Sequence, residues 1–455
     1  MRLLRFLAVF WLLSPAVSTL AVQTKPESTA APSGNASPAA TAPNEAAPAT
    51  DGPPPGRIIL EYSPPPEQYA RAKAYSRSHY WHFFLNAFYG FIVLLLILRW
   101  RIAPAYRNLA ERASSRRIIQ LLLFTPPLLL TIAILTIPSD IWDQSLDRTF
   151  GLNVQNWKAW FGDWFLEQII MLIVGAVLVG ILYAVIRRSP RRCWLYFWLA
   201  SLPVVALVLF LQPLVIDPLF YTFKPLSGAQ PILVNEIQKV TRRGGIEIPP
   251  ERMFVMNASS KQTGLNAYVT GFGASKRVVV WDNTLVKATV PETLCVFGHE
   301  MGHYVLLHIQ KEIAILSVIL LVLLYLGYRL AVWMVTRWGD QWGIRELGDW
   351  ASLPVLFFVI SLLVFLSTPA INAVSRHFEH EADRYAIEVI HGIVANPNQV
   401  AAHYFEISGE QNLSDPSPNW FTKAWFFDHP TRPERVHFVA TYDPWSQGKE
   451  PVYVK

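Results

Sequence analysis

Long apolar segments constrain the fold of this chain more than any other feature. Six of them approach the length of about 20 residues that an α-helix needs to cross a bilayer. They lie at residues 82–98, 118–137, 165–186, 194–215, 313–335 and 353–371. The composition agrees, because only 16% of the residues are charged, against about 25% in soluble domains. This pattern predicts a multi-span membrane protein and excludes a disordered chain, a coiled coil and an ordinary cytosolic enzyme.

The beginning of the chain has the features of a targeting signal followed by a tether. Two arginines precede a short apolar run, and small residues follow near Ala21, as at a signal-peptidase site. Residues 1–21 are therefore predicted to be a signal peptide or, alternatively, a first membrane anchor. Residues 22–56 are rich in Ala, Pro, Ser and Thr, which predicts a flexible tether with too little apolar surface to fold.

Loop charges predict the orientation of the spans. Arginines are concentrated in the first loop (99–117) and the third loop (187–192), whereas the second loop contains Asp140, Asp143 and Asp147. The positive-inside rule then puts the first and third loops in the cytoplasm and the catalytic face on the extracytoplasmic side. The net charge of +6 is spread around apolar segments, so no nucleic-acid partner is expected.

The remaining organisation is mainly α-helical with one small α/β part. Four spans occupy residues 57–215, a soluble α/β segment follows at 216–312, two further spans cover 313–371, and 372–455 form the C-terminal part. Within the soluble segment, an amphipathic stretch predicts a helix, and short runs with turn residues beside them predict three strands. They lie at residues 231–240, 252–257, 267–270 and 277–281. A last helix is predicted to begin near Pro291, run through His308 and merge with the fifth span.

The strongest chemical signal is His299-Glu300-Met301-Gly302-His303 on that last helix. Residues four apart on a helix lie on one face, so both imidazoles can bind one zinc ion. Glu300 lies beside that face, where its carboxylate can accept a proton from zinc-bound water. The chain has only two cysteines, Cys193 and Cys295, which excludes a cysteine-type zinc site.

A catalytic zinc ion needs a third protein ligand, and the candidates lie at residues 375–383. Spacing alone does not choose among His377, Glu379, His380 and Glu381. Glu379 and Asp383 share a helical face, which suits one ligand and one carboxylate that orients a ligand histidine. We expect this segment to complete the zinc site.

Three motifs together resemble one family. They are His299–His303, the run from Ser375 to Asp383, and His429-Pro430-Thr431-Arg432-Pro433-Glu434-Arg435. This combination resembles the CAAX prenyl protease 1 family, integral-membrane zinc proteases related to the HtpX-type heat-shock proteases, and here indicates a bacterial member. The resemblance covers roughly residue 62 to the end of the chain.

The resemblance implies a fold and a set of site residues. The fold is a polytopic membrane protein of about six transmembrane helices with a small α/β, zincin-like metalloprotease domain. One Zn²⁺ ion per chain is expected, with Glu379 as the third ligand and Asp383 orienting a histidine. His429 and Arg435 are expected to stabilise the oxyanion of the tetrahedral intermediate. Asn266-Ala267-Tyr268 resembles the family's edge strand, which pairs with the substrate backbone.

The predicted function is a membrane-integrated zinc metalloendopeptidase acting on membrane-associated or lipidated polypeptides. A quality-control protease of the HtpX type is the alternative enzyme, and a transporter or lipid-handling protein with a structural zinc site is the alternative from another class. Ionisable residues cluster at span ends rather than at the midplane, which favours the enzyme. The predicted location is the bacterial inner membrane. The sequence indicates neither the natural substrate nor an oligomeric state.

Overall fold

The structure is a computed structural model that describes residues 57–270 and 277–454. The predicted signal segment and tether lie outside the described residues, as does the turn that the sequence Gly271-Phe272-Gly273 predicts. The helices are α1 Pro66–Arg99, α2 Ile102–Ala113, α3 Arg117–Thr149, α4 Trp157–Arg188, α5 Cys193–Leu211, α6 Asp217–Phe220, α7 Leu226–Ala229, α8 Pro231–Arg243, α9 Asp282–Lys287, α10 Val290–Val305, α11 His308–Trp342, α12 Leu353–Ile390, α13 Pro397–Gln411, α14 Trp420–Phe426 and α15 Arg432–Thr441. The strands are β1 Phe223–Pro225, β2 Met253–Met256, β3 Ala267–Thr270 and β4 Arg277–Trp281.

Five helices in the described part of the chain are long and apolar enough to cross a membrane: α1, α3, α4, α11 and α12. They contain five of the six predicted spans. The fourth predicted span falls on α5, an apolar helix of 19 residues that continues into a π-helical turn at Gln212–Ile216. The fold is therefore a polytopic, mainly α-helical membrane protein.

The basic loops meet at one end of the helix bundle. Arg107 on α2 forms an ion pair with Asp349 in the loop before α12. Arg345 in that loop binds Glu111 of α2 at 2.7 Å. The guanidinium of Arg187, at the end of α4, lies 3.9 Å from the ring centre of Trp350. These contacts bring together the two arginine-rich loops and the connection between α11 and α12.

The α/β part is a mixed four-stranded sheet in the order β1-β2-β4-β3. Strands β2 and β4 run parallel, and the other two pairings are antiparallel. The three predicted strands are confirmed, whereas β1 is only three residues long and was missed. Strand β3 pairs with β4 alone and therefore forms an edge of the sheet. One face of the sheet packs on α8 and α10 through Leu233, Ile237, Val278, Val280 and Leu294, all buried.

The helix that carries the His-Glu-x-x-His motif ends earlier than predicted. It begins with a reciprocal cap between Thr289 and Glu292 and ends at Val305. A new helix, α11, starts at His308, and Leu307 between them has a φ of 57°. The expected continuous helix through His308 is thus wrong, because the chain turns through a left-handed residue before it enters the fifth span.

Candidate metal centre

Two glycines let α10 approach α12 closely. A methyl group at Gly302 would lie 3.1 Å from the ring and Cβ of Tyr385, and one at Gly298 would lie 3.0 Å from Val389. Either contact is closer than van der Waals packing allows without movement of the neighbour. The glycines therefore permit the helix spacing that brings the motif histidines of α10 against Glu379 of α12.

The three expected ligand side chains converge in a buried cluster. His299 Nε2 lies 3.2 Å from His303 Nε2 and 3.1 Å from Glu379 Oε2. His303 Nε2 lies 3.4 Å from Glu379 Oε1. A tetrahedral zinc ion bound at about 2.0–2.2 Å separates its ligand atoms by about 3.3–3.6 Å, so these residues fit zinc. Glu379 Oε2 is buried with no hydrogen-bond donor satisfying its geometry, which also suits a metal ligand.

The other third-ligand candidates point elsewhere. His377 is 71% exposed and lies beside Glu381, one helical turn away. The ring of His380 packs 4.2 Å from the ring of Phe438, centre to centre. Glu381 is directed towards His308 and Tyr453. Of the four alternatives that spacing left open, the structure brings Glu379 to the motif histidines.

His429 adds a third imidazole to the cluster from the loop before α15. Its Nε2 lies 2.9 Å from Glu379 Oε2, and its Nδ1 lies 2.8 Å from the Asp428 carboxylate. Burial lowers the pKa of His429, but the Glu379 and Asp428 carboxylates outweigh it and raise the pKa to about 10. One atom each from His299, Glu379 and His429 lie within 4.8 Å of one another, so distance alone also allows this set as metal ligands.

Asp383 and Arg435 form a buried pair behind His299. The Asp383 carboxylate lies 2.8 Å from His299 Nδ1. Arg435 Nε donates to Asp383 Oδ2 at 2.8 Å, and Nη2 donates to Oδ1 at 2.5 Å. The same guanidinium stacks 4.1 Å from the Phe405 ring centre. This arrangement fixes the His299 imidazole with Nε2 directed at the cluster.

A cavity opens beside the cluster. Its wall includes Asn266, His299, Glu300, Arg432 and Arg435. Burial raises the pKa of the Glu300 carboxyl group above its ordinary value, which brings it closer to that of an effective general base. Asn266 precedes the edge strand β3, and its side-chain NH₂ group is buried with no acceptor among the described residues.

A second, larger cavity leads from His429 towards α1. Tyr75 and Tyr80 of α1 line it on one side, and Asp428, His429 and Arg435 line it on the other. The two cavities share Arg432 and Arg435 as lining residues. Arg432 has no carboxylate partner within 4.0 Å among the described residues, and sequence reasoning did not single it out.

Two further residues near the centre, His308 and Asp428, were missed because their positions depend on tertiary structure. They contact His303 and His429 respectively, and Glu381, which was considered only as a ligand, lies beside His308. His308 is fully buried against a motif histidine. No spacing in the sequence could have indicated this contact, because it follows from the break at Leu307.

Known proteins match the chain over most of its length. Residues 229–443 match Peptidase family M48, and residues 53–222 match the CAAX prenyl protease N-terminal domain of five membrane helices. The metalloprotease YhfN of Bacillus subtilis (strain 168), an uncharacterized protein, is 30% identical over 82% of this chain and 85% of its own length. A CAAX prenyl protease 1 homolog of Dictyostelium discoideum is 25% identical over 82% of this chain and 86% of its own length. The crystal structure of S. mikatae Ste24p has the same fold, with a TM-score of 0.70, 21% identity, and coverage of 82% of this chain and 90% of that chain.

Long apolar helices, a buried cluster of histidine and glutamate side chains that could hold a metal ion, and the match to Peptidase family M48 together identify an integral-membrane zinc metalloprotease. The chain belongs to the CAAX prenyl protease 1 family within Peptidase family M48. The predicted fold, enzyme class and zinc cofactor are thereby confirmed. Membership of a peptidase family favours the hydrolase over the transporter or lipid-handling alternative.

Proposed function

We propose that His299, His303 and Glu379 hold the zinc ion, and that this site hydrolyses peptide bonds. The observation that carries the proposal is the convergence of two Nε2 atoms and one carboxylate at 3.1–3.4 Å from one another. When bound there, zinc supplies Lewis acidity to the scissile carbonyl and lowers the pKa of its water towards ~7. We prefer His303 to His429 as the second histidine ligand, because His299 and His303 lie on successive turns of one helix.

Glu300 is the proposed general base. Glu300 follows His299 on α10, and both residues line the cavity beside the cluster, where water and substrate would meet. The carboxylate takes a proton from the attacking water and then delivers it to the leaving amine. The raised pKa of Glu300 suits this double role, since the group must both accept and release the proton.

His429 and Arg435 are proposed to stabilise the oxyanion. Both ring nitrogens of His429 face carboxylates, Nδ1 that of Asp428 and Nε2 that of Glu379, and the raised pKa of His429 keeps both nitrogens protonated, so an Nε2–H group points into the cluster. Arg435 contributes positive charge at the cavity wall while it binds Asp383. A donor aimed at developing negative charge is worth about 2.7–4 kcal/mol in comparable sites.

The edge strand β3 and the preceding residue are the proposed substrate-binding element. Asn266, Ala267 and Tyr268 carry it, and β3 has a sheet partner on one side only. An extended peptide can add to such an edge through backbone hydrogen bonds. Asn266 lines the cavity, and its buried side-chain NH₂ group has no acceptor in the part of the chain that the structure describes, which suits a contact with a substrate carbonyl.

The proposed location is the bacterial inner membrane with the metal centre on the extracytoplasmic side. Two features support it: the clustered arginine loops at one bundle end and the length of α12. Glu379 lies 26 residues after Leu353, at about 39 Å along the helix, which exceeds the ~30 Å of the apolar core. The proposed substrates are membrane-proximal or lipidated polypeptides, with general quality control of membrane proteins as the alternative.

The test combines zinc content with peptide cleavage, using the purified full chain in detergent. Wild type and Glu300→Gln are compared, because the variant keeps the size of the side chain and removes the base. We expect near-stoichiometric zinc in both and a loss of about 10²–10⁴-fold in cleavage rate for the variant. Absence of zinc from wild type would refute the site, and unchanged cleavage by the variant would refute the role of Glu300.

The substrate class needs its own comparison. One peptide is supplied with and without a lipid on a residue near the scissile bond, at equal concentration. A higher kcat/KM for the lipidated form supports a processing protease for lipidated substrates. Equal values, together with cleavage of unfolded membrane proteins, would favour the quality-control alternative.

A further inference from the structure

Both motif histidines need an acceptor on the nitrogen that faces away from the metal. The metal-facing atoms are the two Nε2 atoms, 3.2 Å apart. The outer nitrogen of His299 is held directly by Asp383 at 2.8 Å. The outer nitrogen of His303, Nδ1, instead lies 3.2 Å from Nδ1 of a third imidazole, that of His308. The second motif histidine, His303, is thus held by the side chain of His308, which has no role in the mechanism proposed above.

The break between α10 and α11 creates this contact. On a continuous helix, His308 would follow His303 by five residues and project roughly 140° away around the axis. Leu307 instead adopts a φ of 57°, and the two rings meet nearly edge to face with their centres 5.1 Å apart. A left-handed conformation is unfavourable for leucine, so the surrounding structure enforces the turn.

The far side of His308 faces a carboxylate. His308 Nε2 lies 3.3 Å from Glu381 Oε2, and the hydroxyl of Tyr453 donates to the other oxygen, Oε1, at 2.9 Å. If His303 binds the metal through Nε2, its Nδ1 carries a proton, so His308 Nδ1 accepts and His308 Nε2 carries the other proton. That nitrogen is buried beside the Glu381 carboxylate at ion-pair distance, without the alignment of a hydrogen bond, and has no hydrogen-bond partner among the described residues.

Tyr453 is held in position by the same helix that supplies the metal ligand. The backbone N–H groups of Val452, Tyr453 and Val454 all donate to the fully buried Glu388 carboxylate of α12, at 2.8, 2.6 and 2.9 Å. The hydroxyl of Tyr442 donates to it as well. Residues 452–454 are thereby fixed against α12, two turns beyond Glu381.

We propose that His308, Glu381 and Tyr453 form a relay that fixes the ring orientation and the tautomer of His303 and thereby sets zinc affinity. The three are positioning residues, which act through His303. The relay is the counterpart of the Asp383–Arg435 pair behind His299, and in each case a carboxylate is itself held by a hydrogen-bond donor. Partners of this kind raise the basicity of a ligand histidine and restrict its rotation. The inference rests on His303 being a zinc ligand, as proposed above.

The test measures the zinc dissociation constant of the full chain by competition with a chromogenic chelator. His308→Leu removes both contacts and is expected to weaken zinc binding by about 10–100-fold. Glu381→Gln and Tyr453→Phe preserve side-chain shape and should weaken it less, in the same direction. His308→Asn, which keeps a polar atom near the position of Nδ1, is expected to recover part of the loss.

Matched controls separate the relay from general effects on packing. His377→Leu removes another imidazole near Glu381, but an exposed one at 3.9 Å, and should leave zinc affinity within about twofold of wild type. His403→Leu breaks a histidine–carboxylate pair with Glu292, which lies seven residues before His299 on α10, and should lower the melting temperature without weakening zinc binding. The absorption of the Co²⁺-substituted protein is expected to change in His308→Leu and to stay unchanged in both controls.

Each outcome has a definite meaning. Unchanged zinc affinity and Co²⁺ absorption in Glu381→Gln and Tyr453→Phe would overturn the relay, even if His308→Leu does not fold. Equal weakening of zinc binding in His377→Leu or His403→Leu would overturn it too, since the effect would then be structural. Other results would refute the proposed function instead of the relay. One is a wild-type protein that binds no zinc. The other is peptide cleavage that survives Glu300→Gln while the relay variants still alter metal binding.

Discussion

The buried pair between Arg435 and Asp383 gives the sharpest test of the site's energetics. Arg435→Met keeps much of the apolar stem, which packs on Phe405, but removes the guanidinium and its two hydrogen bonds to Asp383 at 2.8 and 2.5 Å. Arg435 is only 4% exposed and Asp383 only 2%, so water cannot replace the lost partner. Removal of one member of such a pair costs about 3–5 kcal/mol. We therefore expect a loss of this size in the free energy of unfolding of the zinc-free protein, measured by chemical denaturation in detergent.

The chain offers a matched control for this substitution. Arg345 also binds a carboxylate, that of Glu111, through two hydrogen bonds at 3.0 and 2.7 Å, but its side chain is 56% exposed. Arg345→Met should cost about 0–1 kcal/mol, because solvent screens an exposed pair. The difference between the two variants then measures the effect of burial. A similar loss in both, or a loss below about 1 kcal/mol for Arg435→Met, would refute the reasoning.

Three further predictions concern the metal centre. His429→Asn should lower kcat by about 10²–10³-fold while zinc content stays near one per chain, and loss of zinc would identify His429 as a ligand in place of His303. Removal of zinc by a chelator should abolish cleavage. Zinc at 100 times its Kd should stabilise the folded protein by about 2.7 kcal/mol, which is measured as a rise in melting temperature. If the melting temperature does not rise, zinc does not bind preferentially to the folded protein. Gly302→Ala should weaken zinc binding, because the new methyl group would lie 3.1 Å from Tyr385. The control Gly162→Ala places a methyl group in open space. It should leave zinc affinity unchanged and stabilise its helix by about 0.5–1 kcal/mol.

Short stretches of the sequence correctly predicted the elements whose structure depends on residues close together in the chain. The short runs at 267–270 and 277–281, bounded by turn residues, predicted β3 and β4 with the bounds that the structure has. The spacing of His299 and His303 predicted one shared helical face, since it depends only on helix geometry. Five of the apolar segments predicted helices that are long and apolar enough to cross a membrane. The fourth segment falls on the apolar helix α5, Cys193–Leu211.

The contacts that complete the site depend on tertiary structure. Spacing could not choose Glu379 over Glu381, because both lie on α12 and the choice depends on which face meets α10. The contact between His308 and His303 follows from the left-handed Leu307, which no turn residue in the sequence marks. Tyr453 reaches Glu381 across 72 residues of chain, so no local pattern could have paired them. The division of the chain at residues 215, 312 and 371 stays a prediction.

The order of elements shows why the metal centre and the membrane domain form one unit. His299 and His303 lie on α10 before the spans α11 and α12, whereas Glu379 and Asp383 lie on α12 after the apolar part of its span. The segment 216–312 therefore contains two of the three proposed ligands and lacks the carboxylate. The helical hairpin α11–α12 must cross the bilayer and return before Glu379 can reach the histidines. Zinc binding thus depends on correct membrane insertion, and the isolated segment 216–312 is expected to hold no zinc at concentrations that saturate the full chain.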